Sequence, residues 1–195
     1  MPKTDIYASF AALSSDQLEG RDYVICIRRV RDSRIAILAP HGGKIEPLTA
    51  ELAYSIAGNE HNFYAFKGIK PSGNRDLHIT STNFDEPEAL NLIASCDHIL
   101  TIHGLSGRDC SIQIGGRDCD LQKRINNNLT NAKFVSRVVN TGPWGGLDPC
   151  NICNRGRSQM GVQIEIKKGL RDSMKINYKL FSSFVNEVRN AIELP

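Results

Sequence analysis

The chain has 195 residues, of which 41% are hydrophobic and 23% charged, and its formal net charge is +3. That size and balance fit one soluble globular domain with a full core and exclude a disordered or fibrous chain. So mild a positive excess neither requires nor forbids a polyanionic partner.

The N-terminal stretch MPKTDIYASFAALSSD has no basic region followed by a long apolar run. No secretory signal and no membrane span are expected, so synthesis in the cytoplasm is the default, with action outside the cell after lysis left open. A short helix is expected over Tyr7 to Leu18. Arg21 to Arg31 alternates partly and reads as a strand, and Arg34 to Leu38 follows as a second. The polar step Asp32-Ser33 between them predicts a β-hairpin. After Leu38 come Ala39, Pro40, His41, two glycines, Lys44, Ile45, Glu46 and Pro47, and then a helical pattern to Ala57.

Further strands are expected at Asn62 to Lys67, Leu77 to Ser81, His98 to Ile102, Ser111 to Ile114, Lys133 to Val139 and Met160 to Ile166. Helices are expected from Glu86 to about Ser95, over Cys119 to Asn131, and over Ile176 to Leu194. The last carries Ile176, Leu180, Phe184, Val188 and Ile192 at every fourth position. Asn140 to Ser158 is rich in Gly, Pro, Asn and Arg, and a stretch of that kind in a compact domain is usually a functional loop or lid. No repeat and no linker interrupts the chain, so residues 1–195 read as a single domain. Strands alternating with helices predict a three-layer αβα fold with a mixed, mainly parallel central sheet.

Two places share one arrangement, a strand running into His-Gly: His41-Gly42 and His103-Gly104. Ligands in open α/β sheets bind beyond the carboxyl ends of strands. Two imidazoles and a carboxylate are a usual catalytic zinc set, which makes His41, Glu46 and His103 candidate ligands. A glutamate inside the apolar run VQIEI is unexpected unless it faces a site, so Glu165 is the candidate base. A single histidine after a strand is more often an ordinary loop residue than a ligand, and Glu165 has the alternative reading of an outward residue on an edge strand. It is the repetition that raises the metal reading. His61, in a turn, and His78, inside an expected strand, read as structural. His98 beside Asp97 reads as a surface pair.

The chain has six cysteines. With no secretory signal, a disulfide framework is not expected. Cys26 and Cys96 read as core residues. Cys150 and Cys153 form a lone CxxC without the second pair that a structural zinc site would need.

The ordered motifs PHGGKIEP, HITSTNFDEP, HG, NICNRGRS and GVQIEI resemble the phage-type poly-γ-glutamate hydrolase family, whose members also occur in bacilli as prophage-derived genes. The resemblance runs over nearly the whole chain. It implies a zinc-dependent peptidase with a metallocarboxypeptidase-like fold, one Zn²⁺ on His41, Glu46 and His103, and Glu165 as the catalytic glutamate. The His-to-Glu gap is two residues longer than the His-x-x-Glu of metallocarboxypeptidases. Asn154-Arg155 is similar to the carboxypeptidase Asn-Arg that holds a substrate carboxylate, but it follows the second histidine instead of preceding it.

A γ-linked glutamate polymer offers a carboxylate on every residue, and arginine binds carboxylates through a planar fork. Arg155, Arg157, Arg108 and Arg75 are therefore candidate substrate contacts, with Asn154 and with Lys44 as an anion-steering or oxyanion group. The expected partner is poly-γ-glutamate, acted on by a monomer, with neither nucleic acid nor membrane bound. Two other readings stand beside it: a zinc amidohydrolase of a small N-acyl amino acid such as an N-acyl glutamate, and a phage-related nucleic-acid-binding protein. The second has only the mild positive charge in its favour, since no helix carries a concentrated basic face.

Overall fold

The computed structural model describes residues 5–193. Residues 1–4, part of the stretch read for a signal, and Leu194, the expected end of the last helix, lie outside the described residues.

The sheet has seven strands: β1 (Tyr23–Arg28), β2 (Ile35–Gly43), β3 (Asn62–Gly68), β4 (His98–Leu105), β5 (Ser111–Gly116), β6 (Val135–Val138) and β7 (Gly161–Lys167). Their order across the sheet is β1-β3-β2-β4-β7-β5-β6. Neighbours are parallel except at β1–β3 and β7–β5. The helices are α1 (Phe10–Ser14), α2 (Thr49–Ala57), α3 (Pro87–Ile93), α4 (Cys119–Asn131), α5 (Lys168–Ile176) and α6 (Tyr178–Glu193). One face of the sheet packs Ile37, Leu100, Ile102, Ile112, Ile164 and Ile166 against α2, α4, α5 and α6. The other packs Ala36, Leu38, Tyr64 and Phe66 against α1, α3 and irregular segments. This is the three-layer, mainly parallel arrangement expected. Among the described residues no helix is long and apolar enough to cross a membrane.

The expected hairpin does not form, because β3 lies between β1 and β2. The Val30 amide donates to Asn62 Oδ1, and Asn62 Nδ2 donates to the carbonyls of Ser33 and Ile35. The first residue of β3 thus holds the connection open. The patterns explain the placement: β2 is buried on both faces, as an interior parallel strand must be, whereas β1 is half exposed and suits an edge.

Other elements differ in extent. The first helix covers only Phe10–Ser14, capped by the Ser9 hydroxyl. Residues 77–81 are no strand: a 3₁₀ turn over Asn74–Leu77 leads into unpaired extended chain. The final helical run is broken at Asn177, whose side chain accepts the Leu180 amide, so Ile176 ends α5 and is 90% exposed instead of facing the core. The Asn140 to Ser158 segment is partly packed, with Ile152 and Cys153 fully buried. Cys96 is buried and Cys26 partly so, and all six cysteines are free.

Candidate metal centre

The site sits where β2, β4 and β7 end. β2 pairs with β3 on one side and β4 on the other, so the chain turns in opposite directions from it, the topological position at which open α/β sheets bind ligands. Both His-Gly pairs lie inside their strands and not beyond them. The register of β2 against β3 shifts between Ala39 and Gly42, a bulge that re-aims His41.

The segment from His41 to Glu46 is a closed loop, with the Glu46 amide donating to the His41 carbonyl at 2.8 Å. Its glycines are sterically required. A Cβ on Gly42 would come within 2.8 Å of Ala50 Cβ, and Gly43 is left-handed at φ 65° with a Cβ position 2.5 Å from the Gly68 carbonyl oxygen. Glu46 to Thr49 is then a type II turn. Pro47 occupies its second position, Leu48 its third at φ 81°, and the Thr49 amide and hydroxyl both donate to the Glu46 carbonyl.

These constraints bring three donor atoms together. His41 Nδ1 is 3.2 Å from His103 Nδ1 and 3.3 Å from Glu46 Oε2, and His103 Nδ1 is 3.9 Å from that oxygen. Tetrahedral zinc with bonds of ~2.0–2.1 Å requires donors about 3.3 Å apart, so the set fits the ion. His41 Nε2 lies 2.8 Å from the Ile79 carbonyl, so its N–H donates there and Nδ1 keeps its lone pair for the cluster. Glu46 Oε2 also accepts the Gly104 amide at 2.8 Å.

His78, read as structural from sequence, is part of this cluster. Its ring stacks on His41 with centroids 4.0 Å apart, and its Nε2 is 3.9 Å from Glu46 Oε1. The donor atoms of His41, Glu46 and His78 all lie within 4.8 Å of one another. Asp5 accepts from His78 Nδ1 at 2.6 Å and is itself held by the Thr80 amide and hydroxyl. With Nδ1–H engaged, the Nε2 lone pair faces the Glu46 carboxylate, an arrangement that a cation relieves.

The protonation states agree. Burial acts to raise the Glu46 pKa, but the charge and hydrogen bond of His41, with His103 and His78 behind, bring it down to about 2. Burial, then the neighbouring His41, holds His103 at about 3 and His78 at about 4. The site therefore presents an anionic Glu46 carboxylate and neutral His103 and His78 imidazoles, the forms that bind metal.

Glu165 stands beside this cluster, directly opposite His103 in the β4–β7 register. It is buried, and its pKa is raised by that burial and by the Glu46 charge, against the pull of Arg171 and Lys167. Arg171, from the unexpected helix α5, threads beneath the site. Its guanidinium donates to the carbonyls of Ile166, Pro47 and Leu105, tying the Glu46 turn to the ends of β4 and β7.

The candidate substrate contacts scatter. Arg75 is close enough to His78 for its charge to lower that imidazole's pKa. Lys44 is exposed and donates to the Lys70 carbonyl. Arg108 is exposed in the loop after β4. Arg155 donates to the Phe84 carbonyl. Arg157 pairs with Asp97 at the start of β4, the opposite end of that strand from His103. Asn154 is buried, with its amide spent on the Gly146 and Asp148 carbonyls and the Gly161 amide. His98 faces Asp118, not Asp97.

Residues 7–190 match the sequence profile of the family described as poly-gamma-glutamate hydrolase. The UPF0714 protein YndL of Bacillus subtilis is 34% identical over 184 residues, which cover 94% of this chain and 72% of that protein. A solved bacteriophage poly-gamma-glutamate hydrolase superposes with a TM-score of 0.91 at 31% identity, covering 97% of each chain. The zinc-free apo form of YndL superposes at 0.92 with 31% identity, covering 97% of this chain and 98% of that one. Agreement of this extent, in sequence and in fold, places the chain in the poly-γ-glutamate hydrolase family of enzymes.

Proposed function

We propose that the chain is a zinc-dependent hydrolase cutting γ-glutamyl amide bonds in poly-γ-glutamate, with His41, Glu46 and His103 holding the ion and Glu165 acting as base and acid. The observation that carries this reading is the meeting of three donor atoms at tetrahedral spacing next to a buried glutamate. A zinc ion there supplies Lewis acidity and a positive field that offsets the charge of Glu46 on Glu165.

The remaining steps belong to the protein. Glu165, as carboxylate, takes a proton from the attacking water while the water oxygen bonds to the amide carbon. The same proton then passes to the amide nitrogen as the C–N bond breaks, and the remaining water proton leaves the new carboxyl group for the freed amine, giving a γ-carboxylate and an ammonium group. Arg171 fixes the frame that sets Glu46 against His103 and Glu165. Asp5 orients His78 alongside, and Arg75 adds positive charge for an anionic substrate.

The test is the length of poly-γ-glutamate before and after incubation with native, chelated and zinc-restored protein. Shortening is expected to stop on chelation and return with zinc. Shortening that proceeds equally in chelator would sink the metal mechanism.

A further inference from the structure

We propose that Arg137, Lys167 and Gln113, on the outer half of the sheet, form a subsite that binds carboxylate and amide groups of the polymer next to the bond being cut. This rests on the reading of the chain as a poly-γ-glutamate hydrolase.

The argument begins with register. His103 lies opposite Glu165, Glu165 opposite Gln113, and Gln113 opposite Arg137. Residues directly opposite across a sheet share a face, so a single polar row crosses β4, β7, β5 and β6 from the metal cluster to the sheet edge. The helices lie on the other face: Ile112, Ile114, Ile164 and Ile166 pack into their core. On the polar face a groove of about 350 Å³ opens over the outer end of the row, at Gln113 and Arg137, and is also lined by Asp109, Ser111, Val135 and Lys167. That volume is in the range of small-ligand sites, about 300–1,000 Å³.

Two groups in the groove lack partners. Gln113 is only 7% exposed, and its Oε1 is buried without a hydrogen bond. A buried acceptor of this kind is costly unless something donates to it. Among the described residues the Arg137 side chain makes no hydrogen bond or ion pair, whereas those of Arg155, Arg157 and Arg171 are all engaged. Lys167 supplies a second cation. The groove's one carboxylate, Asp109, is held by the Ser111 amide and hydroxyl, and its own pKa is lowered mainly by that serine. Cations therefore outnumber anions in the groove.

The dimensions suit the polymer. Strands about 4.8 Å apart place Arg137 about 10 Å from Glu165 across the sheet. An extended γ-glutamyl unit spans roughly 6 Å along its backbone bonds. A chain with its reacting amide at Glu165 thus lays the next amide N–H over Gln113 and brings a carboxylate one or two units along to Arg137. An alternating amide and carboxylate is what an amide acceptor followed by a guanidinium recognises.

The test compares Arg137→Gln with Arg31→Gln, which removes the same charge near β1 at the opposite edge of the sheet. Binding of long poly-γ-glutamate is measured on each change made in a Glu165→Gln background, and KM and kcat on each change alone. Arg137→Gln is expected to weaken binding and raise KM about tenfold, the loss of one charge-assisted contact, with kcat changed less than twofold. Arg31→Gln should move neither quantity. No loss from Arg137→Gln, or equal loss from both, overturns the subsite. Gln113→Leu is expected to melt no lower than the native chain and still bind polymer more weakly; unchanged binding would remove Gln113 from the subsite. A native chain that binds through Arg137 but never shortens the polymer supports the subsite and defeats the hydrolase reading. One that shortens it with Arg137→Gln indistinguishable from native does the reverse.

Discussion

Ile164 and Ile166 turn their side chains into the helix-covered core, which leaves Glu165 on the opposite face with His103, Gln113 and the Glu46 charge around it. Its pKa is raised above the ordinary carboxylate value of 4.5, by burial first and Glu46 second. The sign of the linkage follows: stability from the protonated acid is fully present below about 4.5 and is lost as pH rises through the higher folded value. Chelated protein should therefore lose stability toward alkaline pH in denaturant titrations, and Glu165→Gln should flatten that loss. The same substitution is expected to retain zinc while turnover falls roughly 10²–10⁴-fold, the usual worth of a general acid–base; a near-normal rate would remove Glu165 from that role. His103 and His78 are rival candidates for the third ligand of the proposed ion. Each stands 3.9 Å from a Glu46 oxygen, and it is the 3.2 Å approach of His103 Nδ1 to His41 Nδ1 that favours His103. Zinc per chain after dialysis should fall sharply in His103→Ala and less in His78→Ala, and the opposite order would exchange their roles.

At the scale of elements, what can be read from the sequence follows from burial pattern. The continuous apolar runs of β2, β4 and β7 mark the interior strands, and the repeated His-Gly marks the ends of β2 and β4 that meet at the site. Single-residue logic fails where a segment's role depends on distant partners. His78 reads as part of a strand, because nothing local shows that Asp5 and Thr80 hold it against His41. The hairpin reads as sound, because the insertion of β3 is a matter of long-range pairing. Helix α5 is hidden by its charges, although Leu170 and Met174 are spaced one turn apart on its buried side and Arg171 is buried with them. That helix carries a consequence for stability. Arg171→Leu would leave the Ile166, Pro47 and Leu105 carbonyls without their donor and is expected to cost roughly 3 kcal/mol, measurable as a lower denaturation midpoint. Zinc affinity should drop with it, since the Glu46 turn loses its anchor. Arg171→Lys, with its compact ammonium, is expected to rescue only part of either loss.

For the whole molecule, the sheet has a helix-covered face from end to end and a second face that is covered only over its first half. Core packing and the site divide along that asymmetry: α1, α3 and the Ile152–Asn154 turn close the β1-side half, and a groove stays open over β5 and β6 at Gln113 and Arg137. β6 closes the sheet with only four residues, and among the described residues its outer backbone groups face no further strand. Val135 is 68% exposed beside them. A free strand edge of this kind can pair with another copy, and short length and a charge on the strand are the usual protections. Arg137 supplies that charge. Arg137→Val would leave an open edge whose side chains, from Val135 to Val138, carry no charge at all. Light scattering at high concentration should then report association that Arg137→Lys, which keeps the charge, does not cause. The guanidinium proposed to meet substrate would also be what keeps one molecule's sheet from continuing into the next.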